Sequence, residues 1–251
     1  MNVYDDYYEY IADAISNKNT PDIMKTLQKY KEHAEAQGLI VYAIGLKGSQ
    51  NYNLSDKESD IDANLVFIPT LQQIRTGETF KFTFTEGEVT CHNIYAFAEI
   101  VAKGNPQWIE VCHSEWHIGS FDLFKHYNLN PSALKGMMME KVHAFSKLYP
   151  STKAAIEKYG YSPKQLHHII RLYDVLNKDV KVYKYSDRAR SYMMDIKRGR
   201  QPLTLELAIA LRDDYIIKLA KIYEDKKLVY EVQPVDYPLL DEIVLSYLSK
   251  P

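Results

Sequence analysis

Residues 48–62 read GSQNYNLSDKESDID, and the apolar run Leu65, Val66, Phe67 and Ile68 follows at once. Gly48 closes a stretch rich in β-branched residues, where a residue without a Cβ lets backbone N–H groups approach a phosphate and Ser49 adds a hydroxyl donor. Asp60 and Asp62 are separated by one residue, so on a strand both carboxylates share a face with Asn64 and Val66, and Ile61, Ala63, Leu65 and Phe67 take the other. Two carboxylates that close repel each other unless a cation stands between them. Oxygen donors of this kind suit Mg2+ or Mn2+, hard ions that keep part of their water shell and share coordination with substrate phosphates. Taken alone, D-x-D reads equally well as a turn at Ser59-Asp60 followed by an exposed aspartate. A phosphate cradle on the neighbouring strand is what points it toward chemistry.

A second metal chemistry is excluded by spacing. The only cysteines, Cys91 and Cys112, are each followed directly by a histidine, with His117 nearby. Adjacent Cys-His pairs lack the gap of a few residues that wraps one zinc ion. Both cysteines therefore read as small core residues in a reducing compartment, which excludes a disulfide scaffold. With 46% hydrophobic and 25% charged residues in a chain of 251, the composition is that of a globular protein rather than a disordered one. The N-terminal MNVYDDYYEY is acidic, not a targeting segment, and no apolar run approaches the ~18 residues of a membrane span. The expected location is the cytoplasm, with no membrane partner. The net charge of -2 conceals an asymmetry: residues 1–130 carry 10 Lys+Arg against 18 Asp+Glu, and residues 131–251 carry 21 against 15. An acidic front suits cations and a basic rear suits an anionic partner, although two solvated surfaces would give the same counts.

The elements that must position these residues follow from periodicity. Helices are expected over 3–16 and 21–37, the second opened by Thr20-Pro21 and closed by Gly38. The segments LIVYAIGL, DIDANLVFI, FKFTFT and EVTCHNI are short and β-branched or aromatic, so they predict strands. Helices over 95–103 and 107–114 are separated by Gly104-Asn105-Pro106. From Pro131 onward the pattern is helical: 132–148, 151–159, 163–177, 187–198, 204–225 and 238–249. In YSPKQLHHIIRLYDVL, Leu166, Ile169, Ile170 and Tyr173 form the expected buried face. Lys164, His168 and Arg171 lie at i, i+4 and i+7 on a stripe opposite it, which on spacing alone is the solvated face of a helix. Lys197, Arg198 and Arg200 surround Gly199, a helix C-terminus whose cations complement the macrodipole.

The chain resembles the polymerase-beta-like nucleotidyltransferases, and most closely the group predicted to act in RNA repair. That group's signature runs roughly G-S-x-x-Y-G, a variable loop, then S-D-x-D, hydrophobics and a proline. Gly48, Ser49, Tyr52, Ser59, Asp60, Asp62, Phe67 and Pro69 fill those places, and Asn53 stands where glycine is usual. KGNPQWIEV, YSPKQLHHIIRLYDVL and YMMDIKRGR extend the resemblance over roughly residues 40–215. It implies an α+β fold: a polymerase-beta-type core with a short mixed sheet over 1–130, then an all-helical domain over 131–251. It also implies transfer of a nucleoside monophosphate from a nucleoside triphosphate to an acceptor hydroxyl, by two-metal catalysis. Asp60 and Asp62 would hold Mg2+ or Mn2+, and a third carboxylate from a neighbouring strand falls on Glu88 in place of the family's aspartate, or on Glu86 if the turn is placed differently. Gly48 and Ser49 would hold the triphosphate, and Lys164, His168 and Arg171 would contact nucleotide or acceptor phosphates. Glu110 matches a family position and reads as structural. The acceptor implied first is an RNA 3′ end. A partner protein's hydroxyl is the alternative acceptor, and a binding module that kept the fold without turnover is a third reading.

Overall fold

The computed structural model describes residues 22–56, 59–200 and 203–249. The helix expected over 3–16 and the Thr20-Pro21 start lie outside them. The fold is α+β, with one five-stranded mixed sheet, and the chain divides into two compact units. The sheet unit comprises residues 22–129 and 231–249, and the helical unit residues 130–230.

In the sheet unit, α1 (Ile23–Ala36) precedes β1 (Ile40–Lys47) and β2 (Asp62–Ile68), then α2 (Leu71–Thr76), β3 (Phe80–Thr83), β4 (Glu88–Asn93), α3 (Ile94–Ala102), α4 (Pro106–Cys112) and β5 (His117–Gly119). The strand order is β3-β4-β2-β1-β5, with β2 and β4 parallel and the other pairs antiparallel. Asp22, rather than Thr20, caps α1 by accepting from the Lys25 N–H at 3.0 Å. Alternation along β2 divides the core in two. Ile61, Ala63, Leu65 and Phe67 pack with Ile23, Leu27, Tyr30 and Ala34 of α1. Val66 and Ile68 pack on the other face with α3, α4, Phe121 and Phe124.

That second face is completed from far along the chain. Helix α10 (Tyr237–Leu248) contributes Leu240 and Val244 to it. The Tyr95 hydroxyl donates to Asp241 at 2.6 Å and the Tyr237 hydroxyl to Glu99 at 3.0 Å. Residues 231–249, assigned from sequence to the helical domain, thus pack in the sheet unit. The helical unit is an excursion between Leu129 and Glu231, not a C-terminal domain.

The excursion contains α5 (Pro131–Ala144), α6 (Lys153–Tyr159), α7 (Pro163–Lys178), α8 (Asp187–Lys197) and α9 (Leu205–Val229). Helix α7 is central, packed against α5, α8 and α9. It therefore buries more than one face, including Leu166, His167, Ile169, Ile170 and Arg171. Among the described residues no helix is long and apolar enough to cross a membrane.

One turn holds the approach to the candidate site. Gly87, between β3 and β4, has φ +155°, and a Cβ added there would lie 2.3 Å from the Ile61 carbonyl oxygen. The close approach lets the Ile61 N–H donate to the Glu86 carbonyl at 2.7 Å. Gly87→Ala is expected to lower stability by roughly 2 kcal/mol or more, since the clash is with backbone and cannot be relieved by a rotamer. Urea denaturation of the variant checks this, and a change within about 0.5 kcal/mol, the range of an ordinary surface substitution, would contradict it.

Candidate active site

The register of the sheet places the sequence-selected carboxylates. Lys47 of β1 stands opposite Asp62 of β2 in the antiparallel ladder. On the parallel side Ala63 pairs with Val89, and one residue earlier the Glu88 N–H donates to Asp62 Oδ1 at 3.1 Å. Lys47, Asp62 and Glu88 therefore form one row at one end of the sheet, with Asp60 leading into it. Asp60 is exposed, and its carbonyl accepts from Gln50 Nε2 at 2.7 Å.

The row's electrostatics are uneven. Burial pushes the Asp62 carboxyl above its ordinary range; the Glu88 N–H and Lys47 pull it down, and the Glu88 and Asp60 charges push it up. Glu88 is held below the usual carboxylate range by its hydrogen bond to Lys81, whose Nζ lies 2.6 Å from Oε2, with Lys47 Nζ 3.9 Å from Oε1. Glu86, the alternative third carboxylate, instead pairs with Lys29 of α1 at 2.7 Å. Helix α1 packs on the face opposite Asp62. The geometry thus joins Glu88, not Glu86, to Asp62.

The Gly-Ser turn opens next to this row, because Lys47 is the last residue of β1. Gly48 has φ +106°, and a Cβ built on it would meet only the Gln50 side chain, at 4.0 Å. Ser49–Tyr52 form one 3-10 turn, ended by Asn53 in the left-handed region at φ 61°. Asparagine tolerates that conformation better than most residues other than glycine. The N–H of Gly48 is taken: it donates to Glu110 Oε1 at 2.7 Å, and Asn51 Nδ2 donates to the same oxygen at 3.1 Å. Ser114 Oγ donates to Asn51 Oδ1 at 2.7 Å. Glu110, only 3% exposed, thus ties α4 to the turn. Gly48 offers a phosphate open space rather than its own N–H.

Several residues of this face were not assigned a role from sequence. Asn64 is 1% exposed, and neither its Oδ1 nor its Nδ2 has a partner. It lies between Gly45 and Thr90, two residues beyond Asp62 on the same face. His92 follows on β4, its ring nitrogens likewise unpartnered, set edge-on to Trp108 at 4.6 Å between ring centroids. Burial first, and then the Lys47 charge, lower its pKa. Lys47 and Lys81 could be found only from the register, which brings them beside Glu88.

Asp60, Asp62 and Glu88 fit a hard divalent cation in donor type, and the unpartnered Asn64 amide leaves further polar capacity on that face. Among the described residues, however, no three His, Cys, Asp or Glu side chains are gathered tightly enough to enclose an ion. Cys91 and Cys112 are both buried, and burial pushes the Cys91 thiol up to about 12, in keeping with a core role.

The structure places Lys164, His168 and Arg171 on α7 of the helical unit and corrects the view of them as a solvated stripe. Lys164 is exposed, His168 is half-buried and Arg171 is only 8% exposed. A helix enclosed by three others has little wet face to offer. No protein-family model matches the chain, and no curated protein matches it significantly.

Proposed function

We propose that the protein is a nucleotidyltransferase that moves a nucleoside monophosphate from a nucleoside triphosphate to an acceptor hydroxyl, with release of pyrophosphate. The observation that supports this most is the side-by-side placement of Asp62 and Glu88 on parallel strands, with the open Gly48 turn at the same end of the sheet. Asp60 and Asp62 are the residues that would hold Mg2+ or Mn2+, assisted by Glu88. Such a cation would neutralise triphosphate charge and polarise the reacting phosphorus. Glu88 accepts the proton of the acceptor hydroxyl, and Lys81 keeps it ionised and ready to do so. The Gly48-Ser49 turn receives the triphosphate where no Cβ obstructs it, and Glu110 fixes the turn's position before substrate arrives.

An RNA 3′ end is the proposed acceptor, because residues 131–251 carry the basic excess. A non-catalytic nucleotide-binding module is the second reading, favoured by the Lys81 contact that already occupies Glu88. Incubation with labelled nucleoside triphosphates and magnesium, offering total RNA and total protein in parallel, tests both. Label is expected on RNA, and Glu88→Gln is expected to slow its transfer by roughly 10²-fold or more while nucleotide still binds. Label on protein alone would replace the acceptor. Nucleotide binding with no label on either would favour the binding module.

A further inference from the structure

The end of the sheet that carries the carboxylates also carries two ammonium groups, and Glu88 stands between them. Lys81 Nζ lies 2.6 Å from its Oε2 and Lys47 Nζ 3.9 Å from its Oε1. Lys47 faces Asp62 in the ladder and immediately precedes Gly48. Lys81 faces Thr90, so alternation along β3 and β4 puts it on the face that Glu88 shares with Asp62. Counting every group as ionised, three carboxylates against two ammonium groups leave this row a single negative charge.

The two lysines are held differently. The Lys47 side chain is 22% exposed and belongs to a strand paired on both sides, whereas that of Lys81 is 57% exposed and belongs to β3, an edge strand bonded to β4 alone. Exposed ion pairs hold their members weakly, and an ammonium on a flexible four-carbon stem changes partner at little cost. Its present partner loses its pull once the site is charged. With a divalent cation beside Asp60, Asp62 and Glu88, the row turns from one negative charge to one positive, and Lys81 is repelled where it had been attracted. Glu88 then needs no lysine to stay ionised. A triphosphate at the adjoining Gly48 turn offers Lys81 a denser set of anionic oxygens than the carboxylate it leaves.

We propose that Lys81 is a phosphate-binding residue of this site, counter-ion to Glu88 before substrate arrives and ligand to the triphosphate afterwards. The inference rests on the nucleotidyltransferase reading above and adds to it an exchange of partners by one side chain. The Lys81 contact at Glu88 is thereby a place held for a cation rather than an obstruction. A matched pair lies at the same hairpin: Lys29 Nζ is 2.7 Å from Glu86 Oε1, with side chains 52% and 37% exposed, and Lys29 comes from α1, which packs on the opposite face of the sheet. That pair has the same chemistry without the row, so it isolates what position contributes.

The test titrates the full chain by calorimetry at pH 7, first with Mn2+ alone and then with inorganic tripolyphosphate in excess Mn2+. Lys81→Met is expected to shift the two ligands in opposite directions. Mn2+ should bind roughly threefold more tightly, because a competing charge is gone, and tripolyphosphate roughly tenfold more weakly, the scale of one charge-assisted contact. Lys81→Arg should recover most of the tripolyphosphate affinity, and Lys29→Met should move neither ligand by more than about twofold. Circular dichroism checks that each variant is folded. Tripolyphosphate affinity indifferent to Lys81→Met, lowered equally by Lys29→Met, or lost together with Mn2+ binding would overturn the assignment. A wild type that binds neither probe would overturn it along with the metal site beneath it. Tripolyphosphate carries no nucleoside, so transfer is not measured: the opposite shifts in a protein that transfers no nucleotide would remove the catalytic reading and keep this one.

Discussion

Asp62→Asn is expected to abolish magnesium-dependent nucleotide transfer, by roughly 10³-fold or more, and at the same time to raise the melting temperature of the metal-free protein. The first effect follows from removing an anionic ligand that the amide cannot replace, a loss of several kcal/mol of transition-state stabilisation. The second follows from the direction of the Asp62 shift. Its folded-state pKa is raised by burial and by the neighbouring carboxylates, so the folded protein binds the proton more tightly than the unfolded chain. Stability is therefore lost as pH rises from the ordinary aspartate range through the raised value. Asparagine keeps the volume and the acceptor for the Glu88 N–H without the charge. Magnesium should raise the melting temperature of the wild type and leave that of the variant unmoved. Undiminished transfer by the folded variant, or an equal response to magnesium, would remove Asp62 from the metal site.

Glu110→Ala is expected to destabilise the protein by about 3 kcal/mol, the largest stability effect anticipated for a polar residue here. Truncation leaves the Gly48 N–H and the Asn51 amide without their shared acceptor in a water-poor setting, each at about 1–3 kcal/mol. Glu110→Gln retains an acceptor oxygen and should recover most of the loss. Chemical denaturation followed by circular dichroism distinguishes the two. An alanine variant within about 0.5 kcal/mol of wild type, as for a neutral surface change, would show that the Gly-Ser turn holds its shape without α4.

What could be read in advance depended on how local its cause was. The four longer strands and most helices match their expected segments, because periodicity, caps such as Asn105 with Pro106, and turn glycines act within a few residues. Helix α2 was missed although Thr70 and Gln73 form a complete capping box at its start. Strand β5 is only three residues long and has no period to detect. Glu88 beside Asp62 was expected only through the family resemblance, with Glu86 as the alternative, and the Lys47 and Lys81 contacts depend on register, a long-range property. The stripe on α7 failed for a different reason. An amphipathic reading assumes one buried face, and Arg171 belongs to a helix packed against three others. Nor does any local signal in 231–249 tell a helix which core to join.

The return of α10 to the sheet unit has a consequence for synthesis. Chain growth delivers β1 through β5 first, then roughly a hundred residues of helix, and only afterwards Leu240 and Val244. At 5–20 residues per second the interval is on the order of ten seconds. Throughout it the nascent sheet presents Phe97, Val101 and Ile109 without their final cover, while the described residues of the helical unit, which lie within 130–230, have all been made. A ribosome stalled within 231–249 would therefore release a chain with one finished unit and one adhesive wall, a natural client for chaperones.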